Sequence, residues 1–156
     1  IHSQRCDDST DAEFRIRPAE LADRAAVMRL MSLIEANQVL TVRDWAAAEL
    51  RFDERQTLTV FVAETTQAPA RIIGFVALSM VQTLTGSRGW IDDMAVAVDF
   101  QGVGVGVALL DAVLRHANQQ NLTHLYVNIE RGSPSIRAFS QAAGLVESSI
   151  SYLHIR

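Results

Sequence analysis

The chain has 156 residues, a formal net charge of −4, and 49% hydrophobic against 21% charged residues, the proportions of one globular domain with a sizeable core. It contains no lysine, and its 14 basic residues are arginines scattered along the chain, which excludes a Walker-type phosphate loop and leaves no basic stripe for nucleic acid. No apolar run reaches the roughly 20 residues that span a bilayer; the single cysteine, Cys6, excludes an internal disulfide and a cysteine-based metal cluster and points to a reducing, cytoplasmic setting.

Residues 1–12 are polar, carry Asp7, Asp8 and Asp11, and read as a flexible tail ahead of a single domain over residues 13–156. Phe14-Arg15-Ile16-Arg17 alternates and predicts a first strand closed by Pro18. Val27, Leu30, Met31 and Ile34 recur at helical spacing and predict a helix over 21–36, ended by Asn37. Thr41 with Asp44 resembles a capping box, with Asp in place of Glu, and opens a second helix through Leu50. Residues 58–64 and 71–82 predict two strands that pair as an antiparallel hairpin across a turn at 67–69. Gly86 to Gly89 predicts a turn into a strand from Trp90 to Val98. A glycine-rich turn, 101–106, then opens a helix to about Gln119, with Leu109, Leu110, Val113 and Leu114 on its apolar face. A strand over 122–129 follows. Ser133 and Pro134 start a helix over 135–143, for which Gly144 is a good C-cap. Residues 146–155 form the last strand. The order β-α-α-β-β-β-α-β-α-β predicts an α/β fold with one mixed sheet and helices on both faces.

The most informative stretch is Trp90-Ile91-Asp92-Asp93-Met94-Ala95-Val96 followed by Gln101-Gly102-Val103-Gly104-Val105-Gly106. Strand, glycine turn and helix in that order aim several backbone N–H groups at one point, where an anion can sit on the helix N-terminus. A dinucleotide fingerprint fails, because the third glycine would fall at position 107, which is Val107. Two adjacent carboxylates, Asp92 and Asp93, lie just upstream.

This string resembles the GNAT superfamily of N-acetyltransferases. Ile91-Asp92-Asp93-Met94-Ala95-Val96 is similar to that family's central strand, and Gln101-x-x-Gly104-x-Gly106 to its Arg/Gln-x-x-Gly-x-Gly/Ala loop, at fitting separation. Ile16-Arg17-Pro18 and Ile73-Gly74-Phe75 extend the likeness to nearly the whole of 14–155. The resemblance implies an N-acetyltransferase domain that uses acetyl-coenzyme A as co-substrate. It implies that the pyrophosphate is held by the turn formed by Gln101, Gly102, Val103, Gly104, Val105 and Gly106, and that the pantetheine arm lies along the edge of Met94, Ala95 and Val96. An N–H near Met94 would serve the thioester oxyanion, and Ser133 stands where the family's later motif has a cofactor-side Asn.

Asp92, where the family often has Glu, becomes the general-base candidate. A primary amine arrives protonated, and a carboxylate can accept its proton directly or through water. An ordinary carboxyl pKa of about 4 is low for this work, so burial or Asp93 must raise it. Strand neighbours face opposite sides, so one of the pair addresses the site and the other supports it. Structural roles for both are the alternative. Ser140 replaces the Tyr that often protonates the departing thiolate; Tyr126 and Tyr152 are substitutes, with strand packing as their other role. Glu35, Asn37 and Trp45 fall where relatives place the acceptor, and a carboxylate and an indole suit a cationic amine; helix-surface charge and packing are the bland alternatives.

His2, His116, His124 and His154 are dispersed, so no metal site is expected. The expected function is acetyl transfer to a primary amine of a small molecule by direct attack in a ternary complex, without nucleic-acid or membrane partners. The central strand looks somewhat like polyamine acetyltransferases and the chain's end somewhat like aminoglycoside N-acetyltransferases. A non-catalytic acyl-coenzyme A-binding module and a protein or peptide N-acetyltransferase are the alternatives. Alternation at Ile150, Tyr152 and His154 would permit a homodimer.

Overall fold

The computed structural model describes residues 13–34, 58–127, 137–138, 140–141 and 145. The tail, the second helix, the last strand, and the candidate residues Glu35, Asn37, Trp45, Ser133 and Tyr152 lie outside the described residues.

Five described strands form one mixed sheet in the order β1 (Phe14–Pro18), β2 (Leu58–Thr65), β3 (Ile72–Thr83), β4 (Gly86–Val96) and β5 (His124–Val127). The first four pair antiparallel, as the hairpin pattern predicts, and β4 pairs parallel with β5. β4 starts earlier than its sequence suggests. Only Leu84 and Thr85 turn the chain, and Thr83 already pairs with Gly86. The twelve residues of β3 offer a ladder long enough to draw 86–89 into the strand.

Period-two alternation gives each strand two apolar faces. Val60, Val62, Phe75, Ala77 and Ala95 pack with Val27 and Leu30 of helix α1 (Arg24–Ile34). Phe61, Ala63, Val76, Leu78 and Ile91 pack on the opposite face with Val105, Leu109, Leu110 and Val113 of helix α2 (Val105–Gln119). Gly74 lets α2 approach: a Cβ there would stand 3.1 Å from Val105 Cγ1 and 3.2 Å from both Leu109 Cδ1 and the Ala95 carbonyl oxygen.

The first helix begins later than periodicity alone predicts. Leu21–Asp23 is a 3-10 turn, and α1 follows. Asp23 accepts the Glu20 N–H at 2.8 Å and both Arg17 guanidinium nitrogens at 2.7 and 3.0 Å. Arg17 also donates to Glu64 at 2.9 and 3.2 Å, and Arg15 to Glu64 at 2.6 and 2.8 Å. The hydrogen bonds from Arg17 and then Arg15 hold the Glu64 carboxyl down at about 2. The bond from Arg17 holds Asp23 below its ordinary range, and Arg17 is raised in return. This clamp joins β1, β2 and the entry to α1.

Candidate active site

After β4 the chain makes a 3-10 turn, Val98–Phe100, closed by Phe100 N donating to the Ala97 carbonyl at 2.8 Å and Gln101 N to the Val98 carbonyl at 3.2 Å. The Gln101 side-chain amide reaches back to the Val96 carbonyl at 3.1 Å. Its donors therefore tie the loop to the end of β4. Gly102 and Gly104 then adopt φ of +81° and +92°, a left-handed conformation that costs other L-residues about 1–2 kcal/mol. A Cβ on either would meet nothing within 4 Å, so the glycines serve conformation and an open approach rather than tight packing.

Gly104 is the N-cap of α2, and Ala108 N donates to its carbonyl at 3.0 Å. The amides of Val105, Gly106 and Val107 lead the helix and have no i−4 carbonyl within it. They give this end of α2 its partial positive charge. Gly106 differs from the other two glycines: it lies in the helix, where a Cβ would make ordinary contacts of 3.9 Å with Val96 Cγ2 and 4.0 Å with Met94 Cε. The loop thus rests directly on the strand segment expected to hold the pantetheine arm. Arg71, which the sequence reading passed over, carries its guanidinium 5.3 Å above the Phe100 ring, and so brings a cation beside the start of the loop.

β4 itself has a bulge at the carboxylates. Leu78 pairs with Ile91 and Ala77 with Asp93, so Asp92 has no opposite residue on β3. A bulge breaks strict alternation, and the simple expectation that neighbours split between faces does not run through this pair. The change of phase is visible on either side. Gly89 and Ile91 face the α2 side before the bulge, Met94 and Val96 after it. Cross-strand partners share a face, so Asp93 stands with Ala77 on the α1 side. The described pairing with β5 runs from Arg88 opposite His124 to Ile91 opposite Val127, the last described residue of β5. From Asp93 to Val96, β4 is paired only with β3 among the described residues.

Ser140 is buried, at 7% exposure, and its carbonyl accepts the Leu145 N–H at 2.9 Å. Tyr126 stacks on Trp90 with centroids 5.3 Å apart. A surface cavity of about 370 Å³ between β1, β2 and the C-terminal half of α2, bounded by Pro18, Phe61, Arg115 and His116, lies at the far end of α2 from the glycine loop. Among the described residues no group of three or more His, Cys, Asp and Glu is arranged to hold a metal ion.

Comparison with known proteins agrees with this geometry. The model of the acetyltransferase (GNAT) family matches residues 25–144. No curated protein matches significantly by sequence. Among solved structures, an aminoglycoside acetyltransferase from an uncultured soil metagenomic sample, in complex with sisomicin, superposes with a TM-score of 0.76 at 16% identity, covering 94% of this chain and 97% of that one. Glucosamine-6-phosphate N-acetyltransferase from Arabidopsis thaliana gives 0.72 at 16% identity, over 91% and 97%. Ribosomal-protein-alanine N-acetyltransferase from Brucella melitensis biovar Abortus 2308 gives 0.71 at 21% identity, over 92% and 98%. At these identities the neighbours show the fold. With the glycine turn, the bulged strand and the family match over most of its length, the chain belongs to the acetyltransferase (GNAT) family, a family of acyltransferases.

Proposed function

We propose that the protein transfers an acetyl group from acetyl-coenzyme A to a primary amine of a small molecule by direct attack in a ternary complex. The observation that carries this reading is the left-handed, open turn at Gly102 and Gly104, which leads into α2 where Gly106 faces Met94 and Val96 of β4. The turn suits a pyrophosphate, because its glycines leave room for close backbone approach and the leading amides of α2 supply charge without lysine. The edge of Met94, Ala95 and Val96 suits the amide-bearing pantetheine arm, which needs backbone partners rather than particular side chains. Gln101 holds loop and strand together, and Ser133 belongs to the cofactor side of the same reading.

Bound acetyl-coenzyme A would supply an acetyl carbon activated as a thioester, on which a new C–N bond replaces the C–S bond. Asp92 takes the proton that the ammonium must lose, directly or through water, and Asp93, on the α1 face, orients the amine. The backbone N–H near Met94 steadies charge on the carbonyl oxygen. Glu35, Asn37 and Trp45 complete the acceptor side. The neighbours solved with an aminoglycoside, or named for an amino sugar phosphate, make amines on sugar rings the first acceptors to test.

Two measurements test this. Calorimetry should show coenzyme A binding that is abolished in Gly104→Trp, whose indole would occupy the open approach to the turn; unchanged affinity in that variant would sink the cofactor assignment. Turnover across an amine library should find acceptors whose kcat drops at least 100-fold in Asp92→Asn, in line with loss of a general base. Tight coenzyme binding with no turnover on any amine or peptide would instead make the chain a binding module.

A further inference from the structure

We propose that Arg71 binds the 3′-phosphate of coenzyme A and sets a preference for this coenzyme over its 3′-dephospho form. This rests on the acetyl-transfer reading above.

Arg71 immediately precedes β3, and the β2–β3 turn is closed there twice: Thr65 N donates to the Arg71 carbonyl at 2.9 Å, and Arg71 N to Thr65 Oγ1 at 2.9 Å. Phe100 ends the 3-10 turn after β4, and its N–H donates to the Ala97 carbonyl at 2.8 Å. Ala97 N in turn donates to the carbonyl of Ile73, two residues beyond Arg71, at 2.7 Å. The start of β3 and the end of β4 are thus fixed to one another, and arginine and ring meet across that join. The Phe100 ring packs against the α2-side core, the side on which the leading amides of α2 lie. The Arg71 guanidinium stands over the ring, 5.3 Å from its centroid. Attraction to the ring face holds the cation, and its N–H donors, which lie in its own plane, are left for other partners.

Those donors are not used by a carboxylate. Arg15 and Arg17 pair with Glu64, Arg17 also with Asp23, and Arg115 with Asp111. Arg71 is exposed and has no ion-pair partner among the described residues, although Asp99 adjoins the ring that it covers. Phe100 is followed directly by Gln101 and Gly102, so this cation stands at the entry to the turn proposed for the pyrophosphate. Coenzyme A carries a further phosphate on the ribose joined to that pyrophosphate. It is a monoester, with about 1.5–2 negative charges at neutral pH. Backbone amides answer the pyrophosphate; a dianion beside it calls for a full cation. In a chain without lysine that cation is arginine, whose planar fork takes two phosphate oxygens at once.

Calorimetry with coenzyme A and 3′-dephospho-coenzyme A, on the wild type, Arg71→Gln and Arg71→Lys, tests this. The wild type should bind coenzyme A at least fivefold more tightly than the dephospho form at low salt, and the ratio should shrink as ionic strength rises. Arg71→Gln should abolish the preference by weakening coenzyme A alone, with affinity for the dephospho form within twofold of the wild type. Arg71→Lys should keep part of the preference, because it retains the charge and loses the fork. Equal weakening of both ligands in Arg71→Gln would show that the arginine only braces the turn, and a preference unchanged in that variant would assign the phosphate to another group; either result overturns the proposal. Wild-type binding of both coenzymes without discrimination would also overturn it, while the acetyl-transfer reading stood. Absence of binding of either coenzyme to the wild type would overturn both readings.

Discussion

Gly104 and Gly106 show how differently two residues of one type act within three positions. Gly104 holds φ at +92° as the N-cap of α2, with open space where a side chain would be. Gly106 lies in ordinary helix with room for a methyl group. Gly104→Ala should cost about 1–2 kcal/mol of stability, the price of a left-handed L-residue. Gly106→Ala should be neutral or stabilise by up to ~1 kcal/mol, because alanine restricts the unfolded chain and favours helix. Urea denaturation of the two single variants checks this, and equal costs would contradict the distinction. The bulge residue Asp92 makes a related point. Its carboxylate neighbour could be assigned a face only once the partners of Ile91 and Asp93 on β3 were known.

Among elements, the join of β1, β2 and the entry to α1 depends on ionisation. Glu64, brought from its ordinary 4.5 to about 2, and Asp23, also lowered, bind protons less readily folded than unfolded. Their contribution is therefore complete above the unfolded carboxyl range and is lost as pH falls through the folded values. Stability should decline from about pH 4.5 downward, with the Glu64 share gone near pH 2. Glu64→Gln should be clearly less stable than the wild type at pH 6, and the gap should close as the pH approaches 2. Thermal unfolding across this range tests the assignment; a gap independent of pH would mean that the hydrogen-bond geometry, and not the charge, holds the join. Arg17, raised by the same bonds, stays charged throughout.

At the scale of the whole molecule, the sheet positions the site by supporting α2 from beneath. Val105 is the first residue of α2, and its Cγ1 is the atom nearest to a Cβ on Gly74, so crowding in the central strand is transmitted to the glycine turn. Gly74→Val should destabilise the fold by about 1–3 kcal/mol through overpacking, and should also weaken coenzyme A binding measured at a temperature where the variant is fully folded. Destabilisation with unchanged binding would uncouple the two. Much of this architecture was legible in sequence, because periodicity and turn chemistry are local. The β2–β3 hairpin, the amphipathic α2 and the glycine turn follow from alternation, 3.6-residue spacing and the need for positive φ. The early start of β4 and the 3-10 entry to α1 were not legible, since each depends on a pairing that periodicity does not display: the length of the β3 ladder for one, the Arg17–Asp23 ion pair for the other. The strand-turn-helix order at residues 90–106 was thus determined by the sequence itself. Only the tertiary structure decided that β4 bulges at Asp92, which face Asp93 and the rings of Trp90 and Tyr126 take, and that Arg88, Trp90 and Tyr126 share one face, because these are properties of pairing between strands and no single strand contains them.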